Sequence, residues 1–131
     1  MADAKIAKQI VAETPNRVGV LAEVTGVVSA AGANIQAISA YGVEKNAIFR
    51  LLTDNNQKAI SGLKSKGYNV REDNVVAVSL PNKVGTVSLM AKKLKNADID
   101  LKYIYGSTGS APEALIVFDS NDNAKAVEVL K

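Results

Sequence analysis

The stretch Pro15-Asn16-Arg17-Val18-Gly19-Val20-Leu21 stands where a strand-like run gives way to a helix-like one. It returns 66 residues downstream, from position 15 to position 81, as Pro81-Asn82-Lys83-Val84-Gly85-Thr86-Val87. A turn that recurs at its own strand-to-helix junction implies two copies of one structural unit. Upstream of the first copy, Ile6, Ile10 and Val11 predict a strand over 6–14, which Pro15 ends by removing a backbone donor. Downstream, Leu21, Val24, Val28 and Ala31 fall at helical spacing, and Gly32 is placed to cap that helix at its C-terminus.

The pattern continues outward from that turn. Asn34 opens a second strand through Tyr41, residues 42–46 read as a turn, and Ala47 to Thr53 is a third strand with an apolar centre at Ile48, Phe49, Leu51 and Leu52. Asp54-Asn55-Asn56 marks a helix start, Gly67 its stop, and residues 68–71 a short fourth strand. The order is β-α-β-β-α-β, the split arrangement of a ferredoxin-like unit. Glu72-Asp73-Asn74 reads as a turn, after which residues 75–80, 86–96, 99–105, 115–118 and 123–131 repeat the first five elements. Asp98 takes the place of Gly32, and residues 107–112 form a polar loop. A gapless register pairs Asn55 with Asn121 and Lys131 with Ser65, so the second copy stops before its fourth strand.

The expected fold is therefore α+β, two tandem ferredoxin-like βαββαβ units with antiparallel sheets, the second lacking its final strand. The expected units are residues 1–72 and 73–131. Residues 75–80 then have an open edge. Either the chain simply ends short, or a strand from this chain or a partner fills the gap.

Composition narrows the function classes. The 131 residues carry 16 Lys and Arg against 13 Asp and Glu, a mild net charge of +3, with no cysteine and no histidine. Disulfides and zinc sites of the usual nitrogen and sulfur type have no ligands, and a nucleophilic Ser or Thr has no histidine base. No Walker or Rossmann glycine loop is present, so neither catalysis nor a metal or other cofactor is expected. The cations are scattered apart from Lys92, Lys93 and Lys95, and four Tyr and two Phe are few for a stacking platform, which argues against nucleic acid. The start of the chain does not resemble a secretory signal and no apolar run has membrane-spanning length, so a cytoplasmic protein away from the membrane is expected.

A strand-turn-helix junction exposes helix N–H groups and a positive dipole end, which suits anions. Gly19 permits close backbone approach, and the amide of Asn16 offers both a donor and an acceptor. Asn34 adds a second amide, on the same rim or on that of a neighbour. Such a set suits a zwitterion such as a free amino acid, whereas the plainer reading makes Asn16 a helix cap and Asn34 a turn residue.

Pro-Asn-Arg-Val-Gly-Val-Leu at residues 15–21, with Gly32-Ala33-Asn34-Ile35 after the helix on this element order, resembles the ACT domain. Residues 81–85 with Ala97-Asp98-Ile99-Asp100 resemble a divergent copy. Together they are similar to the tandem, stand-alone ACT proteins, some of them named for likeness to acetolactate synthase regulatory subunits. The resemblance implies a regulatory protein that binds a small free amino acid at domain interfaces and acts allosterically in amino-acid metabolism. It implies a homodimer and a biosynthetic enzyme as partner. Carried over by position, the ligand contacts are Asn16, Arg17, Val18, Gly19, Val20, Leu21, Asn34 and Ile35, with Asn82, Gly85 and Asp100 in the second copy. Asp100 replaces Asn34 and would repel a ligand carboxylate, so the second site is altered in specificity or silent, with silence favoured. The competing expectation is a structural or interaction subunit that binds no ligand.

Overall fold

In the computed structural model, which describes residues 3–131, ten elements follow in order. They are β1 (Asp3–Pro15), α1 (Val20–Ala30), β2 (Ile35–Val43), β3 (Asn46–Thr53), α2 (Asn56–Ser65), β4 (Asn69–Pro81), α3 (Thr86–Asn96), β5 (Leu101–Ser107), β6 (Glu113–Ser120) and α4 (Asn123–Leu130). The chain divides into two compact units. One is Lys8–Asp73, and the other is Asn74–Lys131 with the chain's beginning up to Ala7.

In the first unit β1 pairs antiparallel with β3 (Ile10 with Leu51, Pro15 with Asn46), and β2 pairs antiparallel with the other side of β3. The start of β4 lies on the free side of β1, giving the order β4-β1-β3-β2. The core joins alternate residues of the strands, Ile10, Ala12, Phe49 and Leu51, to one face of each helix: Val20, Val24 and Val28 from α1, Ala59 and Leu63 from α2. Those helix positions recur at three and four residues, so each helix turns one apolar stripe to the sheet.

The second unit repeats this plan. β4 pairs with β6 (Val76 with Phe118) and β5 with β6, over a core of Val76, Val78, Leu80, Met90, Leu94, Phe118 and Leu130. Ala4, 7% exposed, belongs to that same core. The strand beside β4 in this unit is thus the chain's own beginning, residues 3–7, which takes the place of the missing fourth strand. The edge expected to be open at residues 75–80 is covered.

Three expectations are corrected. β1 starts at Asp3, earlier than the expected 6. Glu72-Asp73-Asn74 is no turn, because β4 runs unbroken from Asn69 to Pro81. Polar residues without Gly or Pro do not break an extended chain, and here each is held. Asn56 Nδ2 donates to Glu72 Oε2 at 3.0 Å, Arg71 Nε to Asp73 at 3.1 Å, and Asn123 Nδ2 to the Asn74 carbonyl at 3.3 Å. The gapless register also fails. Ile10–Leu51 corresponds to Val76–Phe118, an offset of 66 on one strand and 67 on the other, so one residue is inserted between β5 and β6. Asn55 therefore matches Asp122, not Asn121: the two side chains cap α2 and α4 by accepting from Lys58 N and Lys125 N. Gly32 and Asp98 do correspond, with φ of 86° and 58°, since Asp tolerates the left-handed region better than most residues.

Candidate functional site

Both turns are built alike. After Pro15 the chain turns and enters α1 through Gly19, at φ 90° and ψ −4°; after Pro81 it enters α3 through Gly85, at 90° and −5°. A Cβ on either glycine would meet nothing within 4 Å, so the positive φ, and not a close approach, is what this structure requires of them. Val20 N donates to Arg17 O (3.2 Å) and Glu23 N to Gly19 O (3.0 Å), while no side chain caps α1. The cap reading of Asn16 therefore does not hold. Its backbone N–H donates to Lys45 O at 2.7 Å, which ties the turn to the start of β3. Its side-chain amide is exposed and stands against Gly42, where an added Cβ would come within 2.9 Å of Nδ2.

The remaining residues of the first turn divide between core and surface. Val20 is buried in the core, Val18 at the tip is fully exposed, and Leu21 is 54% exposed. The Arg17 guanidinium folds back onto Glu23 with two contacts, Nη1 to Oε2 and Nη2 to Oε1, the latter 2.7 Å, and Tyr68 Oη donates to Glu23 Oε1 at 3.2 Å. Hydrogen bonding from Arg17 lowers the Glu23 pKa and in return raises that of Arg17, whereas burial, then the bond to Glu23, raises that of Tyr68. Nothing in the sequence pattern pointed to this trio. Arg17 and Glu23 are six residues apart across a turn, and Tyr68 lies 45 residues further on.

Asn34 lies elsewhere. Its N–H donates to Asp54 Oδ1 (2.7 Å) and its carbonyl accepts from Asp54 N (3.1 Å), which fixes it at the beginning of β2. Asn16 stands at Gly42, near that strand's other end. Eight residues of strand separate them, about 26 Å at the usual rise. Within one unit the two amides do not share a rim. Ile35 packs partly buried against the core.

The second turn keeps the backbone and changes the side chains. Asn82 N donates to Pro112 O at 2.8 Å, the counterpart of the Asn16–Lys45 bond. Its side-chain Nδ2 donates to Gly109 O (3.2 Å) and Ala111 O (3.1 Å), binding the β5–β6 loop to the turn. Asp100 is clamped by Asn121 as Asn34 is by Asp54, N–H to Oδ1 at 3.1 Å and carbonyl from Asn121 N at 3.0 Å. It borders a cleft of about 570 Å³ with Lys95, Asp98 and Leu101. Among the described residues no cluster of three or more metal-binding side chains occurs, and no helix is long and apolar enough to cross a membrane.

Among solved structures the chain is similar to protein BT0572 from Bacteroides thetaiotaomicron. That match has 28% identity and a TM-score of 0.89, and it covers 97% of this chain and 88% of that one. It shares its fold with the regulatory subunit of aspartate kinase from Thermus thermophilus, in ligand-free form (14% identity, TM-score 0.68, 97% and 93% covered). The same holds for a putative C-terminal regulatory domain of aspartate kinase from Porphyromonas gingivalis (14%, TM-score 0.64, 99% and 93%). No curated protein matches the chain. The family model described as an ACT domain pair matches residues 6–131, and the chain accordingly belongs to the ACT domain pair family.

Proposed function

We infer that the protein is a non-catalytic regulatory module that binds a small free amino acid at the first turn. It would pass that binding to an enzyme of amino-acid metabolism through the packing of paired chains. One observation carries the reading: at the end of β1 an exposed amide, Asn16, stands beside a helix start that no side chain caps. The amide offers an acceptor to an ammonium, and the open N–H groups and dipole of α1 favour a carboxylate. Family membership and the shared fold with aspartate kinase regulatory subunits support the regulatory role.

The second amide would come from a second copy. β2 is the edge strand of its unit. Antiparallel pairing of two β2 strands about their middle residue, Ser39, sets Asn34 of one copy opposite Glu44 of the other, two positions beyond the Gly42 against which Asn16 rests. Each such dimer would hold two equivalent pockets, each with Asn16 from one chain and Asn34 from the other. The pocket is incomplete in a single chain, which makes the homodimer part of the function.

The test is a thermal scan against each of the twenty common amino acids. A ligand that binds only the folded state stabilises it by about 2.7 kcal/mol at a hundredfold excess over Kd. At least one aliphatic or small polar amino acid is expected to raise Tm, Asn16→Ala to abolish the rise, and Asn82→Ala to leave most of it. No response to any of the twenty at millimolar concentration overturns the reading in favour of a purely structural subunit.

A further inference from the structure

The two turns lead into helices of different charge. Residues 16–31 carry one cation and one anion, Arg17 and Glu23, and these pair with each other. Residues 82–97 carry four lysines, Lys83, Lys92, Lys93 and Lys95, and no acid, and among the described residues none of the four has an ion pair. Cations in a last turn favour the helix dipole, yet α1 ends without any, so this helix plan does not require them. Where Glu23 stands in the first unit the second has Leu89, an apolar side chain that is 58% exposed. Lys92 and Lys93 follow Leu89 by three and four residues and therefore share its flank of the helix. Leu89 and Lys93 border a crevice of about 80 Å³ that is lined also by Leu80, Pro81, Met90 and Leu130. With about 30 Å³ to a water molecule, that space takes one aliphatic side chain and no larger ligand.

We propose that this flank of α3 docks an acidic amphipathic helix of another protein, with one aliphatic side chain in the crevice and carboxylates against Lys92 and Lys93. A helix laid along α3 repeats its apolar and charged positions every three to four residues, which is the spacing of Leu89, Lys92 and Lys93. A second copy of this chain does not supply such a helix: α1 and α4 hold one Glu each, and α2 and α3 hold no acid. A lipid surface fits less well, because Met90 and Leu94 are buried in the core and only Val87 and Leu89 remain as large exposed apolar side chains of α3. Nucleic acid would leave the crevice empty and would meet no aromatic ring between residues 82 and 97. The proposal concerns residues of the second unit alone, goes beyond amino-acid binding at the first turn, and stands without it.

The test titrates full-length protein into a fluorescein-labelled peptide of glutamate, alanine and leucine, its leucines at every third and fourth position, and reads anisotropy. Binding tighter than about 1 mM is expected, with affinity falling at least about tenfold between about 0.1 M and about 1 M salt. Leu89→Glu, which writes the first unit's residue into an exposed place, should weaken binding about tenfold or more, and so should the separate variant Lys92→Glu. Lys58→Glu, on the exposed side of α2, should weaken it less than about twofold. Three results overturn the proposal: no binding at 1 mM, equal weakening by Lys58→Glu and Lys92→Glu, or equal affinity for a peptide of the same composition with its leucines moved off helical spacing. Association with phosphatidylserine vesicles or with a single-stranded polythymidine that Leu89→Glu abolishes, while the peptide stays unbound, overturns it too and reassigns the flank to lipid or to nucleic acid.

Discussion

The two units are the same architecture with different surfaces at the same place. In each, a glycine at φ 90° turns the chain from strand to helix, and the asparagine three positions before it brackets the strand that returns. The first unit leaves that asparagine's amide exposed and folds Arg17 onto Glu23; the second latches it to a loop and has Lys83 and Leu89 where the ion pair would be. Backbone geometry has thus been kept while the chemistry of the turn diverged. The scaffold fixes the backbone of the turn, and a few side chains set which polar groups it presents.

The cores make the same comparison in another currency. By pairing register Phe49 corresponds to Ile116 and Leu51 to Phe118, so the phenylalanine ring of each core has moved two positions along the strand, on the same face. Both rings are fully buried, at 1% and 0% exposure. Phe49→Ala and Phe118→Ala should each cost about 3–5 kcal/mol in urea denaturation. The paired exchange Phe49→Ile with Leu51→Phe, which writes the second unit's order into the first, should cost clearly less than either. An exchange as costly as the truncation would show that the two cores are not interchangeable packings.

Gly19→Ala and Gly85→Ala come next in size. Each should lower stability by about 1–2 kcal/mol, since a Cβ must sit in the left-handed region although nothing obstructs it. Equal losses would mark the turns as one backbone device; a large difference in midpoint would separate them.

The smallest effect concerns the ion pair that only the first turn has. Glu23 titrates below the ordinary carboxylate range because Arg17 hydrogen-bonds its charged form. A depressed carboxylate contributes stability that is complete above its unfolded-state pKa and is lost as pH falls through the lower, folded-state value. The side-chain carbon resonance of Glu23 should therefore titrate at lower pH than in an unfolded peptide, and Arg17→Ala should return it to the ordinary range. An ordinary midpoint in the wild type would mean that the pair does not hold in solution. The pair is exposed, so its loss should leave the melting temperature nearly unchanged.

Much of this was legible in the sequence because the determinants are local. The repeated turn, the element order, the left-handed positions at Gly32 and Asp98, and the apolar faces of α1 and α3 all follow from residues within a few positions of one another. The errors arose where local signals were weak or silent. Glu72-Asp73-Asn74 reads as a turn by polarity, yet it lies within β4, where Asn56 and Asn123 reach it from elsewhere in the chain. The one-residue insertion in the β5–β6 loop is invisible without the strand pairing that reveals it. The latch of Asn82 on Gly109 and Ala111 joins residues 27 and 29 positions apart.

The sequence by itself determined that the chain holds two ferredoxin-like units, that each presents the same glycine turn, and that the second runs out before its last strand. Strand and helix periodicity and positive-φ glycines are properties of short segments, so they survive without knowledge of the fold. Tertiary structure alone decided what fills the gap, residues 3–7, with Ala4 in the second unit's core. It also decided that Asn16 and Asn34 lie at opposite ends of β2 and that the Asn82 amide bonds to the β5–β6 loop while the Asn16 amide stands against Gly42. Those are long-range pairings, set by which strands lie side by side, and no local pattern encodes them.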